Sequence, residues 1–189
     1  MNSERILRIA DTMEMVKPSR YLQSMWAGDV SSRQAEFKKV GDNYILVPKE
    51  GFCGSAACVL GHGAMTPDTG LSLFVDMGSV VTRGGRRFAE EVCVGAIIDG
   101  EVSGEVTGFE AAVEALGISI KDSYVLFSGG GSTTLVFYSG ATTAEEVRRI
   151  RGREFNDVVT PQKVAAALRR YVETGGQSAA LARELAKHV

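Results

Sequence analysis

The residue types able to do chemistry concentrate in one short stretch, Cys53-Gly54-Ser55-Ala56-Ala57-Cys58-Val59-Leu60-Gly61-His62-Gly63. It holds two of the chain's 3 cysteines and one of its 2 histidines. Cys53 opens a run of good helix formers, and a thiol at a helix N-terminus would have its pKa lowered by unpaired N–H groups. A nucleophile also needs a base, and His62 and His188 are the candidates. On a single helix over 54–62, His62 lies roughly 12–14 Å along the axis from Cys53, too far to take its proton. Acyl transfer or hydrolysis by a Cys53–His62 pair therefore lacks a geometry, and the sequence leans away from an enzyme.

Zinc is the second reading of the same stretch. Cys58 and His62 are four apart and share a helical face, Cys53 lies five residues upstream, and Asp68, Cys93 or His188 would complete a set of four. The paired knuckle of a zinc finger is missing, and no second ligand pair follows at the usual spacing. The third reading is architectural and is preferred. Glycine, serine and alanine make a surface that a neighbouring element can approach closely, a buried cysteine behaves as a small hydrophobe, and His62 is hydrogen-bonded at the helix C-terminus.

Two other groups can recognise an anion. Ser128-Gly129-Gly130-Gly131-Ser132 can present backbone N–H groups, although a phosphate loop requires a following helix and a lysine, and Thr133 to Tyr138 reads as a strand. Arg83, Arg86 and Arg87 flank Gly84-Gly85. Arg148, Arg149, Arg151 and Arg153 close a helix, where a solvated basic face is expected anyway. His62, Arg83, Arg86, Arg87, Gly129, Gly130 and Gly131 are the candidate ligand contacts. Tyr21 and Trp26 read as core or hinge residues.

The elements that must position these groups follow from periodicity and turn chemistry. A helix over 3–16 with Ser3 as N-cap carries Ile6, Ile9, Ala10 and Met13 on one stripe, and Pro18 ends it. A short helix from Ser19 to Trp26, closed by Gly28, precedes a polar loop or weak helix over 29–43. Tyr44 to Val47 is a strand stopped by Pro48. Thr66 to Gly70 is a turn. Between 71 and 106 strands compete with a helix over Phe88 to Ile98, and Asp99-Gly100 suits a hairpin. Thr107-x-x-Glu110 is a capping box for a helix ended by Gly117. Thr143 with Glu145 and Glu146 opens another, running to Arg151. Thr160-Pro161 begins a third, with Val164, Ala167, Leu168 and Tyr171 buried. Gly175-Gly176 breaks it before a last helix over 178–189. The expected fold is α+β, helices at both ends with a small antiparallel sheet in the middle, in one domain spanning 1–189.

Composition narrows the partners. The chain has 189 residues, is 44% hydrophobic and carries a net charge of −2, which gives nucleic acid and anionic lipid no general attraction. An odd number of cysteines in a chain of this size suits a reducing compartment, so a cytoplasmic location is expected. Met1 to Arg8 lacks the apolar core of a signal peptide, and no apolar run is long enough to span a bilayer.

Pro18-Ser19-Arg20-Tyr21-Leu22-Gln23-Ser24-Met25-Trp26, followed by the Cys53–His62 segment, resembles a loose group of uncharacterised phage and bacterial proteins with a Cys-Gly-Thr/Ser-x-x-Cys-x-x-Gly-His/Trp-Ala core. Leu116-Gly117-Ile118 and Thr160-Pro161 are similar to that group's pattern, while Gly63 stands where alanine is usual. The resemblance implies a small cytosolic accessory protein, often phage-borne, and assigns no reaction. The expected function is non-catalytic binding of a host protein or a small anionic ligand.

Overall fold

The computed structural model describes residues 1–18, 30–31, 35–40, 43–49, 58–89, 92–128 and 131–188. Helix α1 (Ser3–Met15) buries Ile6, Ile9, Ala10 and Met13, the stripe set by its 3.6-residue period. Asn2 rather than Ser3 is its N-cap, its side chain accepting from the Arg5 N–H at 3.2 Å. The helix expected over 19–26 lies outside the described residues.

The strands are β1 (Val30–Ser31), β2 (Ala35–Val40), β3 (Asn43–Pro48), β4 (Leu71–Asp76), β5 (Val80–Arg83), β6 (Arg86–Ala89), β7 (Cys93–Ile98) and β8 (Glu101–Thr107), with helix α2 (Val59–Met65) between β3 and β4. Among the described residues seven helices follow: α3 (Gly108–Leu116), α4 (Ile120–Phe127), α5 (Ser132–Ser139), α6 (Ala144–Ile150), α7 (Phe155–Val158), α8 (Pro161–Glu173) and α9 (Gln177–Leu185). The antiparallel order β2-β3-β4-β7-β8 makes the main sheet, and β1-β6-β5 a smaller one. This is the expected α+β arrangement, with helices at both ends of the chain and the sheet between them.

Residues 35–40 form a strand rather than a loop or weak helix, because Ala35 to Val40 pairs along its whole length with β3. Helix and strand competed over Phe88 to Ile98, and strands win. The β7 residues Val94 and Ala96 face the core together with Leu73 and Leu71, their partners on β4. Asp99 and Gly100, with φ of 52° and 84°, make the expected hairpin turn.

Thr133 to Tyr138 is helical, not a strand. Thr134, Leu135, Val136, Phe137 and Tyr138 are all buried, as in a helix enclosed on every side, so tertiary packing overrides their β-branched and aromatic propensity. The Tyr138 hydroxyl donates to the Leu126 carbonyl and fixes α5 against α4. Thr107 is the N-cap of α3, but the capping box is not made. Thr107 is also the last residue of β8, and Gly108 follows it with φ of 60°, so the chain enters the helix through a non-helical kink. The box at Thr143–Glu146 is complete. The last helix ends at Leu185, and Ala186–His188 is a 3-10 turn.

In β3, β4 and β7, Leu46, Leu73 and Val94 are register partners and line the buried face. Helices α2 and α3 pack on the sheet, and α1 joins them to α8. At Gly63 of α2 this packing leaves little room for a side chain. A Cβ there would stand 3.0 Å from Ile9 Cδ1 and 3.3 Å from Leu71 Cδ1.

Candidate functional site

The helix expected over 54–62 begins later. Cys58 has φ −75° and ψ 178°, so it is an extended N-cap, and its Sγ accepts from the Gly61 N–H at 3.5 Å. Cys58 therefore does not share a helical face with His62, because it stands outside the helical turn. Burial pushes its thiol pKa up, against any nucleophilic role. His62 is 6% exposed within α2, and Cys53 lies outside the described residues. Among the described residues no group of three His, Cys, Asp or Glu side chains could hold a metal ion.

The anion candidates fall in three separate places. Arg83 and Arg86 oppose each other across the β5–β6 turn, where Gly84 and Gly85 have φ of 56° and 74°. Arg87 lies 5.8 Å from the Tyr44 ring centroid, a cation–π contact that ties this hairpin to β3. Gly131 is the N-cap of α5, so a helix does follow the glycines, while Gly129 and Gly130 lie outside the described residues. His62 belongs to α2, on the main sheet. The second arginine group is a solvated helix end: Arg149 pairs with Glu145 at 2.6 Å, and Arg148 and Arg153 reach backbone carbonyls.

A cleft of about 670 Å³ opens where two strands part, at the C-terminal end of the His62 helix. The β3–β4 ladder runs from Asn43–Asp76 to Leu46–Leu73 and stops. Beyond it, Val47 and Pro48 pair only with β2, and Ser72 and Leu71 only with β7. The cause is in the sequence. Two residues past the last pair, Pro48 would face Leu71, and proline has no N–H to donate. The Leu71 N–H turns instead to Thr69 Oγ1 at 3.3 Å.

Ile45, Val47 and Ile97 supply apolar walls, with Val47 42% and Ile97 39% exposed. Ala64, Met65 and Thr66 close one side. Here α2 is well capped: Thr66 Oγ1 donates to the His62 carbonyl at 2.8 Å and Thr69 Oγ1 to the Gly63 carbonyl at 2.8 Å. Asp68 and Asp99, both exposed and with φ of 59° and 52°, stand at the rim. Arg5 also lines the cleft, its guanidinium lying beside Gly70 and donating through Nη1 to the Ala115 carbonyl at 2.7 Å.

Sequence reasoning found both turns of this cleft, Thr66–Gly70 and Asp99–Gly100, but not that they meet at one end of the sheet. Pro48 was the available signal, since a proline inside a strand marks where a ladder must end. A second set, Asp122 with Tyr171 and Arg183, was also missed. Arg183 donates to Asp122 Oδ1 at 2.5 Å and the Tyr171 hydroxyl to Oδ2 at 3.1 Å, locking α4, α8 and α9 together. Burial first, then the Asp122 charge, raises the Tyr171 pKa, so this hydroxyl remains a proton donor. No family model, curated protein or solved structure matches the chain.

Proposed function

We propose that the protein is a non-catalytic binding protein that engages another protein, taking an extended segment of it into the cleft between β3 and β4. The observation that carries this reading is the early end of the β3–β4 ladder beside an accessible cleft walled by exposed Val47 and Ile97. With Pro48 lacking an N–H and the Leu71 N–H held by Thr69 Oγ1, the affinity comes from alternate apolar side chains of the segment settling on Ile45, Val47 and Ile97. The volume is within the range of small-molecule sites as well, and the lining carries both signs of charge: Asp99, Asp68 with Arg8 3.8 Å away, and Arg5. Exposed Asp99 at the rim favours a segment with a lysine or arginine beside its apolar residues.

Selection of random heptapeptides against the folded protein tests this, with the Val47→Asp and Ile97→Asp variants for counter-selection. Both positions are already exposed, so the variants fold. Enriched peptides are expected to alternate apolar residues, to carry a flanking basic residue and to lose binding to both variants. Peptides that bind the variants as well as the parent, or no enrichment at all, would remove the basis of the proposal.

A further inference from the structure

Arg5 is a half-buried residue of α1 and lines the β3–β4 cleft. Among the described residues its guanidinium makes one hydrogen bond, from Nη1 to the Ala115 carbonyl at 2.7 Å, and pairs with no carboxylate. The Asp68 carboxylate of the same cleft has Arg8 as its partner, at 3.8 Å. Nε and Nη2 of Arg5 are left without an acceptor, yet neither is closed off from solvent. A partly desolvated cation without a counter-charge favours a carboxylate brought beside it.

Gly70 sets where that charge stands. Its φ is 73°, and a Cβ there would lie 2.7 Å from Arg5 Cζ, so the guanidinium occupies the space a side chain would fill. The Gly70 carbonyl accepts from the Ile97 N–H at 2.8 Å. Arg5 and Ile97 thus flank a single residue, which sets an exposed apolar side chain close to an accessible cation. With Nη1 held by Ala115, the edge left free carries Nε and Nη2, the pair of donors that grips a carboxylate bidentately.

We infer that the segment taken into the cleft is the C-terminus of the partner protein, its terminal carboxylate on Arg5 and its last side chain, an apolar one, against Ile97. The inference rests on the reading of the cleft as a peptide site. A terminal residue carries its carboxylate and its side chain on one Cα, so it meets a cation and an apolar wall that stand one residue apart. An internal aspartate or glutamate does not, because the side chains next to it in an extended segment point to the opposite face. Asp99 remains for a basic residue farther back along the segment.

Two pools of random heptapeptides, one ending in a free carboxylate and one amidated, are selected against the full chain, and enriched sequences are titrated in both forms by calorimetry. The acid pool is expected to yield peptides with an apolar last residue. Amidating such a peptide should weaken it roughly tenfold or more, as loss of a hydrogen bond between charged groups does. Arg5→Gln, which keeps a donor for the Ala115 carbonyl, should weaken the acid form about tenfold and leave the amide form unchanged. On the parent chain the Arg5 Nε–H resonance should move with the acid and not with the amide, a readout that needs no variant. Equal affinity of the two forms, a difference that survives Arg5→Gln, or an unmoved Nε–H resonance overturns the assignment of the C-terminus. Binding that is still lost in Val47→Asp and Ile97→Asp then leaves peptide capture by the cleft standing. Enrichment from neither pool overturns that reading, and this inference with it.

Discussion

Replacing Gly63 with alanine sets two effects of opposite sign against each other. Helix propensity favours alanine over glycine by up to about 1 kcal/mol, less near the end of a seven-residue helix. Packing opposes it, since the new methyl would lie 3.0 Å from Ile9 Cδ1, 3.2 Å from Ile9 Cγ1 and 3.3 Å from Leu71 Cδ1. Forcing a methyl into contacts this short costs roughly 1–3 kcal/mol in a close-packed core. Packing wins, and Gly63→Ala is expected to destabilise the protein by about 0.5–2 kcal/mol, read as a lower urea midpoint with an unchanged slope. Ile9→Val removes Cδ1, the atom nearest the new methyl. Alone it costs about 0.5–1.5 kcal/mol, but combined with Gly63→Ala it should recover about 0.5–1 kcal/mol relative to the sum. A Gly63→Ala protein more stable than the parent, or strictly additive effects, would refute the claim that the small residues of α2 exist for close packing.

Three further outcomes follow from the geometry. Asp122→Ala leaves the buried Tyr171 hydroxyl without its acceptor and Arg183 without its partner, and should cost about 2–4 kcal/mol in urea unfolding, with Asp122→Asn recovering part of it. Glu146 accepts from the Thr142 and Thr143 backbones and the Thr142 hydroxyl, which holds its pKa below the usual range. Its stabilisation is therefore present above the ordinary glutamate pKa of about 4.3 and is lost as pH falls below it, so Glu146→Gln should flatten that acid limb of the stability curve. Iodoacetamide at neutral pH should label exposed Cys93 well before buried Cys58, whose thiol burial holds protonated, and mass spectrometry of the digest reads the order.

Helices with explicit boundary residues were legible in the sequence. Thr160-Pro161, Gly117 and the helix start at Thr143 each mark a boundary that the structure keeps, whereas the box expected at Thr107–Glu110 is not made, because Thr107 also ends β8. The helix α5 was not legible, because Thr133 to Tyr138 has strand composition and becomes helical only by being enclosed by α4, α8 and α9. The start of α2 was misread for a related reason. Good helix formers suggested one helix from Gly54, yet Cys58 takes an extended conformation and caps the helix with its own sulfur. The cleft was hidden for a different reason again. Its parts, Pro48, Asp68 and Asp99, are each ordinary turn or strand-end residues, and only the register of β3 on β4 brings them to one opening.

Entry of a partner segment between β3 and β4 is read by methyl resonances during titration with a selected heptapeptide. The Ile45, Val47 and Ile97 methyls are expected to shift together and saturate at one stoichiometric equivalent, while the methyls of exposed Leu181 on α9 stay in place. Shifts confined to Leu181, or spread over the surface with the Ile45, Val47 and Ile97 methyls unmoved, would contradict it.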